Sequence, residues 1–202
     1  MTALRRVLAP ALVLSAALVT TATAQGTLPI TVEVRGGAAI PTGDFGDGAS
    51  TGWGIGGTVR YAVAPTIELY AGYDHFDFGT DEEFDETELD FGIQDNGLRA
   101  GGRFSFSTLG SVSPWVEGGL LFNRSKVSIS DGTTTINVSS DWAPGFEAGA
   151  GFGVALSPRV SLTPGVRYRF HEAEFDPEGV EEGPESIDVT YVAIDLGVNI
   201  RL

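Results

Sequence analysis

The chain alternates between apolar residues and small or polar residues with a period of two in eight separate segments. From Ile30 to Ile40 the even-numbered positions are apolar or glycine, whereas the odd-numbered positions include Glu33 and Arg35. Successive side chains of a β-strand point to opposite faces, so each segment is predicted to be a strand with one apolar and one polar face. The eight segments are Ile30–Ile40, Trp53–Val63, Ile67–Asp74, Leu98–Phe106, Val116–Asn123, Gly145–Leu156, Val160–His171 and Val192–Leu202.

The connections between these segments alternate in length. Those after the second, fourth and sixth segments are short and lie near Ala64-Pro65, Ser107 to Ser113, and Ser157 to Arg159, whereas the other connections are longer. Short turns at one end and long loops at the other are typical of transmembrane barrels with an even number of strands. The pattern predicts an all-β fold, an eight-stranded antiparallel up-and-down barrel with short periplasmic turns and long extracellular loops.

Alternation alone leaves open which face points inward. A soluble periplasmic lipocalin-like barrel would bury the apolar face and expose the charges to water. Two further observations favour the membrane barrel. Between the charges, the polar faces are mostly Gly, Ala, Ser and Thr, and such small residues suit a narrow lumen. Aromatic residues gather toward the strand ends, as they do in the girdles at the two membrane interfaces. The aromatic residues assigned to these girdles are Trp53, Tyr61, Tyr73, Phe104, Phe106, Trp115, Phe122, Phe146, Tyr168 and Phe170.

The first 24 residues have the features of a cleaved secretory signal. Arg5 and Arg6 precede an apolar stretch from Val7 to Val19, and Ala22-Thr23-Ala24 has the small-x-small pattern that signal peptidase recognises. The apolar stretch is too short to span about 30 Å of hydrocarbon as a helix. We therefore predict a signal peptide at 1–24 and a single exported domain at 25–202.

The last strand ends in a pattern that barrel assembly uses. Asp195 is followed by Gly197, and apolar residues then alternate through Ile200 to Leu202. Together with the signal peptide, the eight segments and the opening Gly36-Gly37-Ala38-Ala39-Ile40-Pro41, this end resembles the small eight-stranded outer-membrane β-barrel family (OmpA/OmpX/OmpW-like). The resemblance implies insertion into outer-membrane lipid of a bacterial cell by the barrel-assembly machinery, with Gly197, Ile200 and Leu202 as the assembly signal. Many members of the family end in Phe, whereas this chain ends in Leu202.

The charges divide between the strands and the loops. The polar strand faces carry nearly equal numbers of acidic and arginine side chains, and charges in a narrow lumen must be paired or solvated. Because the planar guanidinium can bridge two carboxylates, we expect a network of ion pairs that plugs the lumen. The expected members are Glu33, Arg35, Arg60, Glu68, Asp74, Arg99, Arg103, Glu117, Glu147, Arg167, Arg169, Asp195 and Arg201.

The other acidic residues are expected in the long loops or at their edges. They account for most of the net charge of −15, which argues against nucleic acid as a partner. Runs of like charge are usually solvated, and this is the simpler interpretation of these loops. The alternative interpretation is that the loops bind a divalent cation loosely. The candidate ligands are Asp81, Glu82, Glu83, Asp85 and Glu86. The two densest loops are Asp77 to Asp90 and Glu172 to Glu185.

No residue is nominated as catalytic, and no cofactor is predicted. The absence of cysteine excludes thiol catalysis and Cys-zinc sites. His75 and His171 lie at the loop-side ends of strands, and His75-Phe76-Asp77 suggests a His-carboxylate pair, but no partner constellation can be placed from the sequence.

Pro164 falls within the seventh segment, where its missing N–H would interrupt a closed ladder. We expect a β-bulge at this position.

The predicted function is that of a non-enzymatic outer-membrane barrel with a structural or surface-interaction role, such as membrane integrity, adhesion or ion-dependent contact through the loops. The alternatives are a channel for small solutes or hydrophobic compounds, and an outer-membrane enzyme that modifies lipid A.

Overall fold

The computed structural model describes residues 29–79, 90–130, 133–175 and 185–202. The predicted signal peptide and the cation candidates Asp81, Glu82, Glu83, Asp85 and Glu86 lie outside these residues. In the part of the chain that is described, no helix is long and apolar enough to cross a membrane. The strands are β1 (Ile30–Pro41), β2 (Gly52–Ala64), β3 (Ile67–Phe78), β4 (Asp90–Ser105), β5 (Val112–Ser130), β6 (Thr135–Ser139), β7 (Ala143–Ala155), β8 (Val160–Phe175) and β9 (Glu185–Arg201).

Eight of these strands form a closed antiparallel barrel. Consecutive strands of the wall pair in the order β1-β2-β3-β4-β5-β7-β8-β9, and β1 pairs with β9 to close the ring. The three short turns (β2–β3, β4–β5 and β7–β8) and both ends of the described chain lie at one end of the barrel, which we call the turn end, and the opposite end is the loop end. The prediction of an eight-stranded up-and-down barrel is confirmed.

The polar faces of the strands point into the lumen and the apolar faces point outward. Along β1, Glu33 and Arg35 are buried, whereas Val34 between them is 56% exposed. The same division holds on β9, where Ile194, Leu196, Val198 and Ile200 form an exposed apolar row. A soluble lipocalin-like barrel would face the opposite way, so that alternative is wrong.

Several strands extend further toward the loop end than the alternation predicted. β4 begins at Asp90, so Asp95, assigned to a loop from the sequence, is completely buried in the wall of the barrel. β5 likewise includes Arg124 and Lys126, and β8 includes Glu172 and Glu174. Polar or charged residues at outward positions beyond the apolar belt interrupt the alternation there, although the backbone ladder continues.

The extra strand, β6, lies outside the barrel wall. It pairs only with the upper part of β5, from Lys126↔Ser139 to Ser130↔Thr135. The prediction placed this segment in the third long loop, and the structure turns that connection into a hairpin that extends the wall beyond the loop end.

The bulge predicted at Pro164 is wrong. Pro164 pairs with Leu196 of β9 in an unbroken ladder. The β7–β8 pairing is interrupted opposite Pro164, but Gly151↔Gly165 and Val154↔Leu162 keep one register on both sides of the gap. The missing N–H therefore weakens one ladder locally without inserting a residue. The register shift that does occur lies between Ala62 and Ala64 on β2.

An apolar cluster closes the lumen at the loop end. Phe45, on a short 3-10 helix (Gly43–Asp47), packs edge-on against Phe78 with ring centroids 5.2 Å apart. Tyr191 contacts the rings of Phe76 and Phe78 at 5.0 and 5.1 Å. We call this group the apolar cap; its other buried members are Ala39, Ala49, Ala173, Val189 and Ala193.

Candidate functional site: the charged lumen

Near the middle of the lumen, Glu117 on β5 contacts three arginine side chains. Arg103 donates from Nε and Nη2 to Glu117 Oε2 at 2.9 and 2.6 Å, and Arg167 Nε donates to Oε1 at 2.5 Å. Arg99 Nη1 is 3.4 Å from Oε1. Because β4, β5 and β8 supply these groups, one carboxylate links three strands of the wall.

Asp74 on β3 forms a second centre nearer the loop end. Arg35 Nη2 lies 2.7 Å from both carboxylate oxygens, and Arg169 Nη2 donates to Oδ2 at 2.8 Å. Arg99 Nε is 3.6 Å from Oδ2. Charge-assisted pairs of this kind are stronger than neutral hydrogen bonds, and burial reduces their screening by water.

Glu147 on β7 joins the two centres. Its Oε1 accepts from Arg99 Nη1 and from the Tyr70 hydroxyl, both at 2.7 Å, and its Oε2 is 3.3 Å from Arg169 Nε. Arg99 therefore touches all three carboxylates, Glu117, Asp74 and Glu147. The lumen is crossed by one continuous network of ion pairs.

The turn-side part of the network is centred on Glu33. Arg60 Nη1 and the Thr163 hydroxyl donate to its Oε2 at 2.8 and 2.9 Å. Arg60 also hydrogen-bonds Asn199 and lies 3.5 Å from Glu68, which is only half-buried.

The two remaining expected members differ in their contacts. Asp195 pairs with Arg167. Arg201 lies at the exposed turn-end rim and makes no ion pair with a described residue. Twelve of the thirteen expected members are therefore in contact with an opposite charge.

Sequence reasoning placed one aromatic residue on the wrong face. Trp115, assigned to a lipid-facing girdle, is only 3% exposed and points into the lumen. The guanidinium carbons of Arg103 and Arg167 lie 4.1 and 5.2 Å from its ring centroid, within range of cation–π attraction. Its parity matches that of Glu117, which is the signal that could have identified it.

His171 lies in a buried polar cluster that the sequence did not reveal. Its Nε2 is 3.1 Å from the Ser125 hydroxyl and 3.3 Å from Asp95 Oδ1, while Nδ1 has no hydrogen-bond partner among the described residues. The Tyr191 hydroxyl donates to Asp95 Oδ2 at 2.9 Å. A Ser-His-Asp relay needs serine and carboxylate on different ring nitrogens, whereas here both contact Nε2. The cluster therefore lacks the geometry of a catalytic triad.

His75 does not pair with any carboxylate in the described part of the chain. Its Nδ1 is 2.7 Å from Asn96 Oδ1, and its ring meets that of Trp53 edge-on at 5.7 Å. Asp77 instead accepts from Gln94 Nε2 at 3.2 Å. The expected His75–Asp77 pair is thus not formed. Within the described ranges, no cluster of three or more His, Asp or Glu side chains is arranged to hold a metal ion.

The proposed assembly-signal residues occupy both faces of β9. Gly197 faces inward, where an added Cβ would lie 2.4 Å from Thr163 Oγ1, so the packing requires glycine. Ile200 and Leu202 face outward and are 49% and 50% exposed. Their recognition during assembly stays a prediction.

A cavity of about 740 Å³ opens at the turn end of the lumen. Its wall includes Arg60, Arg103 and Trp115 at the inner side and Arg159 and Arg201 at the rim. The charged network lies above it, and the apolar cap closes the opposite end.

An eight-stranded wall with a charged interior and an exposed apolar belt defines an integral outer-membrane β-barrel. The chain belongs to the outer membrane protein beta-barrel domain family, whose sequence model matches residues 11–201. This membership places the protein in the lipid of the bacterial outer membrane. None of the curated proteins compared with the chain matches it significantly.

Solved structures with the same fold include three bacterial surface barrels. Neisserial surface protein A is 18% identical with a TM-score of 0.60, covering 88% of this chain and 100% of its own. OprG from Pseudomonas aeruginosa is 13% identical with a TM-score of 0.55, covering 87% and 98%. Ail, the attachment invasion locus protein of Yersinia pestis, is 14% identical with a TM-score of 0.51, covering 85% and 97%.

Proposed function

We propose that this protein is a non-conducting outer-membrane scaffold that presents acidic loops for contacts at the cell surface. The observation that carries the proposal is the combination of a cross-lumen ion-pair network with an apolar cap at the loop end. Arg99 reaches carboxylates on three other strands, and Phe45 folds over Phe78 beyond them. Any solute path would have to break both layers.

The size of the barrel supports this proposal. Eight strands leave an interior just wide enough for side chains to fill, and Arg35, Arg167 and Arg169 are each no more than 4% exposed there. The cavity at the turn end stops below these residues. A channel function lacks a comparable observation in its favour.

The proposed surface role rests on where the remaining charge lies. Outside the network, Asp44, Asp47, Glu172, Glu174 and Asp188 lie at the loop end, and the sequence adds further acidic residues in the connections at 80–89 and 176–184. Adhesion and weak binding of divalent cations by these loops stay predictions. Ail, which is named for attachment and invasion, shares the fold of this protein at 14% sequence identity.

Conductance across planar bilayers tests the scaffold. The refolded protein, with insertion verified by heat-modifiable migration on a gel, should give no reproducible single-channel steps, whereas an open porin under the same conditions gives them. Regular steps from the intact barrel would contradict the proposal and favour the channel.

The enzyme alternative has its own test. His171 is the histidine that contacts both a hydroxyl and a carboxylate, but both meet one nitrogen in a buried site. Mass spectra of lipid A from cells with and without the protein should be identical. A mass difference that is lost in His171→Gln would contradict the non-enzymatic role.

A further inference from the structure

The cavity at the turn end has an excess of positive charge. Four arginines line it, Arg60, Arg103, Arg159 and Arg201, against the single carboxylate of Glu68 among the described residues. Arg60 and Arg103 are balanced from deeper in the lumen by Glu33 and Glu117. Arg159 and Arg201 make no ion pair with any described carboxylate.

The register brings three of these arginines into one row along the wall. The Arg201 N–H donates to the Arg159 carbonyl at 2.8 Å, so these two residues are neighbours across the turn end. Arg201 then pairs with Thr31 on β1, and Thr31 pairs with Arg60 on β2. The like charges of Arg159 and Arg201 are adjacent and repel one another, and an anion between them would relieve that repulsion.

Two buried side chains that line the cavity each hold a nitrogen that makes no hydrogen bond with a described residue, although Arg60 Nε lies 3.5 Å from Glu68 Oε2. Arg60 is 2% exposed, and its Nε makes no hydrogen bond with a described residue. Trp115 is 3% exposed, and its Nε1 is likewise without a hydrogen-bond partner. Both nitrogens are shielded from solvent, so the positive charge that is open to a ligand in the cavity belongs to Arg159 and Arg201, which are exposed.

The remaining polar groups of the wall can also donate. Thr31, Ser105, Ser113 and Ser161 line the same cavity with hydroxyl groups, whereas the Thr163 hydroxyl already donates to Glu33. Planar guanidinium forks match phosphate oxygens in pairs, and hydroxyl groups complete such sites. The volume of about 740 Å³ admits a small anion with room for water.

We propose that the turn-end cavity binds a phosphate-type oxyanion from the periplasm. The bound phosphoryl group lies between Arg201, Arg159 and Arg60, with the network and the apolar cap preventing its passage to the loop end. The site is therefore a closed vestibule, independent of the surface role of the loops.

Calorimetric titration of the refolded barrel in a non-ionic detergent, at fixed ionic strength, tests this proposal. Inorganic phosphate and pyrophosphate should each bind saturably at one site. The double variant Arg159→Gln with Arg201→Gln should bind each anion at least about tenfold more weakly, since two charge-assisted contacts are lost. Both residues are exposed at the rim, and heat-modifiable migration will verify that the variant folds.

Arg124→Gln is the matched control. Arg124 is an exposed arginine toward the loop end, where its Nε donates to the Ser140 carbonyl at 2.8 Å. This variant should bind phosphate as the unmodified barrel does. Absence of saturable binding, or equal loss of affinity in the control and the double variant, would overturn the proposal.

A phosphoryl group could also come from a lipid headgroup. Titration with a short-chain phosphatidic acid below its micellar concentration separates the two sources. Binding of phosphate in lipid-free detergent supports the free anion. Binding of the phosphatidic acid alone, with the same dependence on Arg159 and Arg201, supports the same phosphoryl site with a headgroup as its occupant.

Discussion

Arg103 and Glu117 lie directly opposite each other on β4 and β5, and Arg103 donates to one carboxylate oxygen of Glu117 from both Nε and Nη2. The pair joins two consecutive strands, β4 and β5, whereas the ring is closed by the pairing of the first strand, β1, with the last, β9. The Glu117 carboxylate also accepts a hydrogen bond from Arg167 on β8. It therefore links β5 to a strand with which β5 is not paired.

Glu117→Ala should destabilise the barrel strongly. The substitution leaves Arg103 buried without its nearest carboxylate and takes one of two close carboxylates from Arg167, and removing one partner of a buried ion pair costs about 3 to 5 kcal/mol. We expect a lower unfolding temperature in detergent, measured from the loss of heat-modifiable migration. Arg103→Ala should act in the same direction but less strongly, because Glu117 keeps Arg167 and Arg99.

The control for this comparison is Glu172→Ala. Glu172 is exposed on β8 and lies opposite Asp188, so its removal takes away a like-charge neighbour and no described ion pair. Its unfolding temperature should match that of the unmodified protein. Equal unfolding temperatures of the Glu117→Ala and Glu172→Ala variants would mean that the ion-pair network does not stabilise the barrel.

Two adjacent glycines on β2 test how tightly the lumen is filled. A Cβ on Gly56 would lie 1.8 Å from Asp74 Oδ1, and that carboxylate is held by Arg35 and Arg169. A Cβ on Gly57 would meet nothing within 4 Å, because this position faces outward. Gly56→Ala should therefore lower the unfolding temperature and Gly57→Ala should leave it equal or slightly higher, as measured in one set of detergent melts. Similar losses in both variants would contradict the packing described for the lumen.

The wall of the barrel could be predicted from the sequence because its period of two is a direct consequence of strand geometry. The same rule separated lumen charges from lipid-facing residues, so Glu33, Asp74 and Arg99 were assigned to the correct face. It did not reveal which arginine meets which carboxylate, since Arg99 and Glu147 are 48 residues apart and lie on strands, β4 and β7, that are not paired with each other.

The loop end was less predictable for a different reason. Asp95 and Ser125 lie on strand extensions whose outward positions are mostly polar or charged, which hides the alternation, whereas His171 ends the predicted seventh segment. The apolar cap depends on Phe45 folding inward from a 3-10 helix, and no periodic signal marks a single residue in a connection.

Phe45→Ala should open the loop end while leaving the barrel folded. Truncating a buried Phe costs about 3 to 5 kcal/mol when the site cannot collapse, and here the loss falls on the contact between the 3-10 helix and Phe78. We expect faster proteolytic cleavage within 42–51, together with unchanged heat-modifiable migration. The exposed Phe152→Ala, on the outer face of β7, is the control and should not alter cleavage in that connection.

A charge on the outer wall should prevent insertion, whereas the same charge on the hairpin should not. Leu120 on β5 is 72% exposed on the lipid-facing side, and Ile136 on β6 is 61% exposed outside the barrel wall. A lysine at the membrane midplane of such a barrel costs about 2 to 4 kcal/mol, and this cost falls toward zero near the interface. The folded yield in lipid vesicles should therefore drop for Leu120→Lys and stay unchanged for Ile136→Lys. Equal yields would mean that the exposed apolar belt at Leu120 does not face lipid.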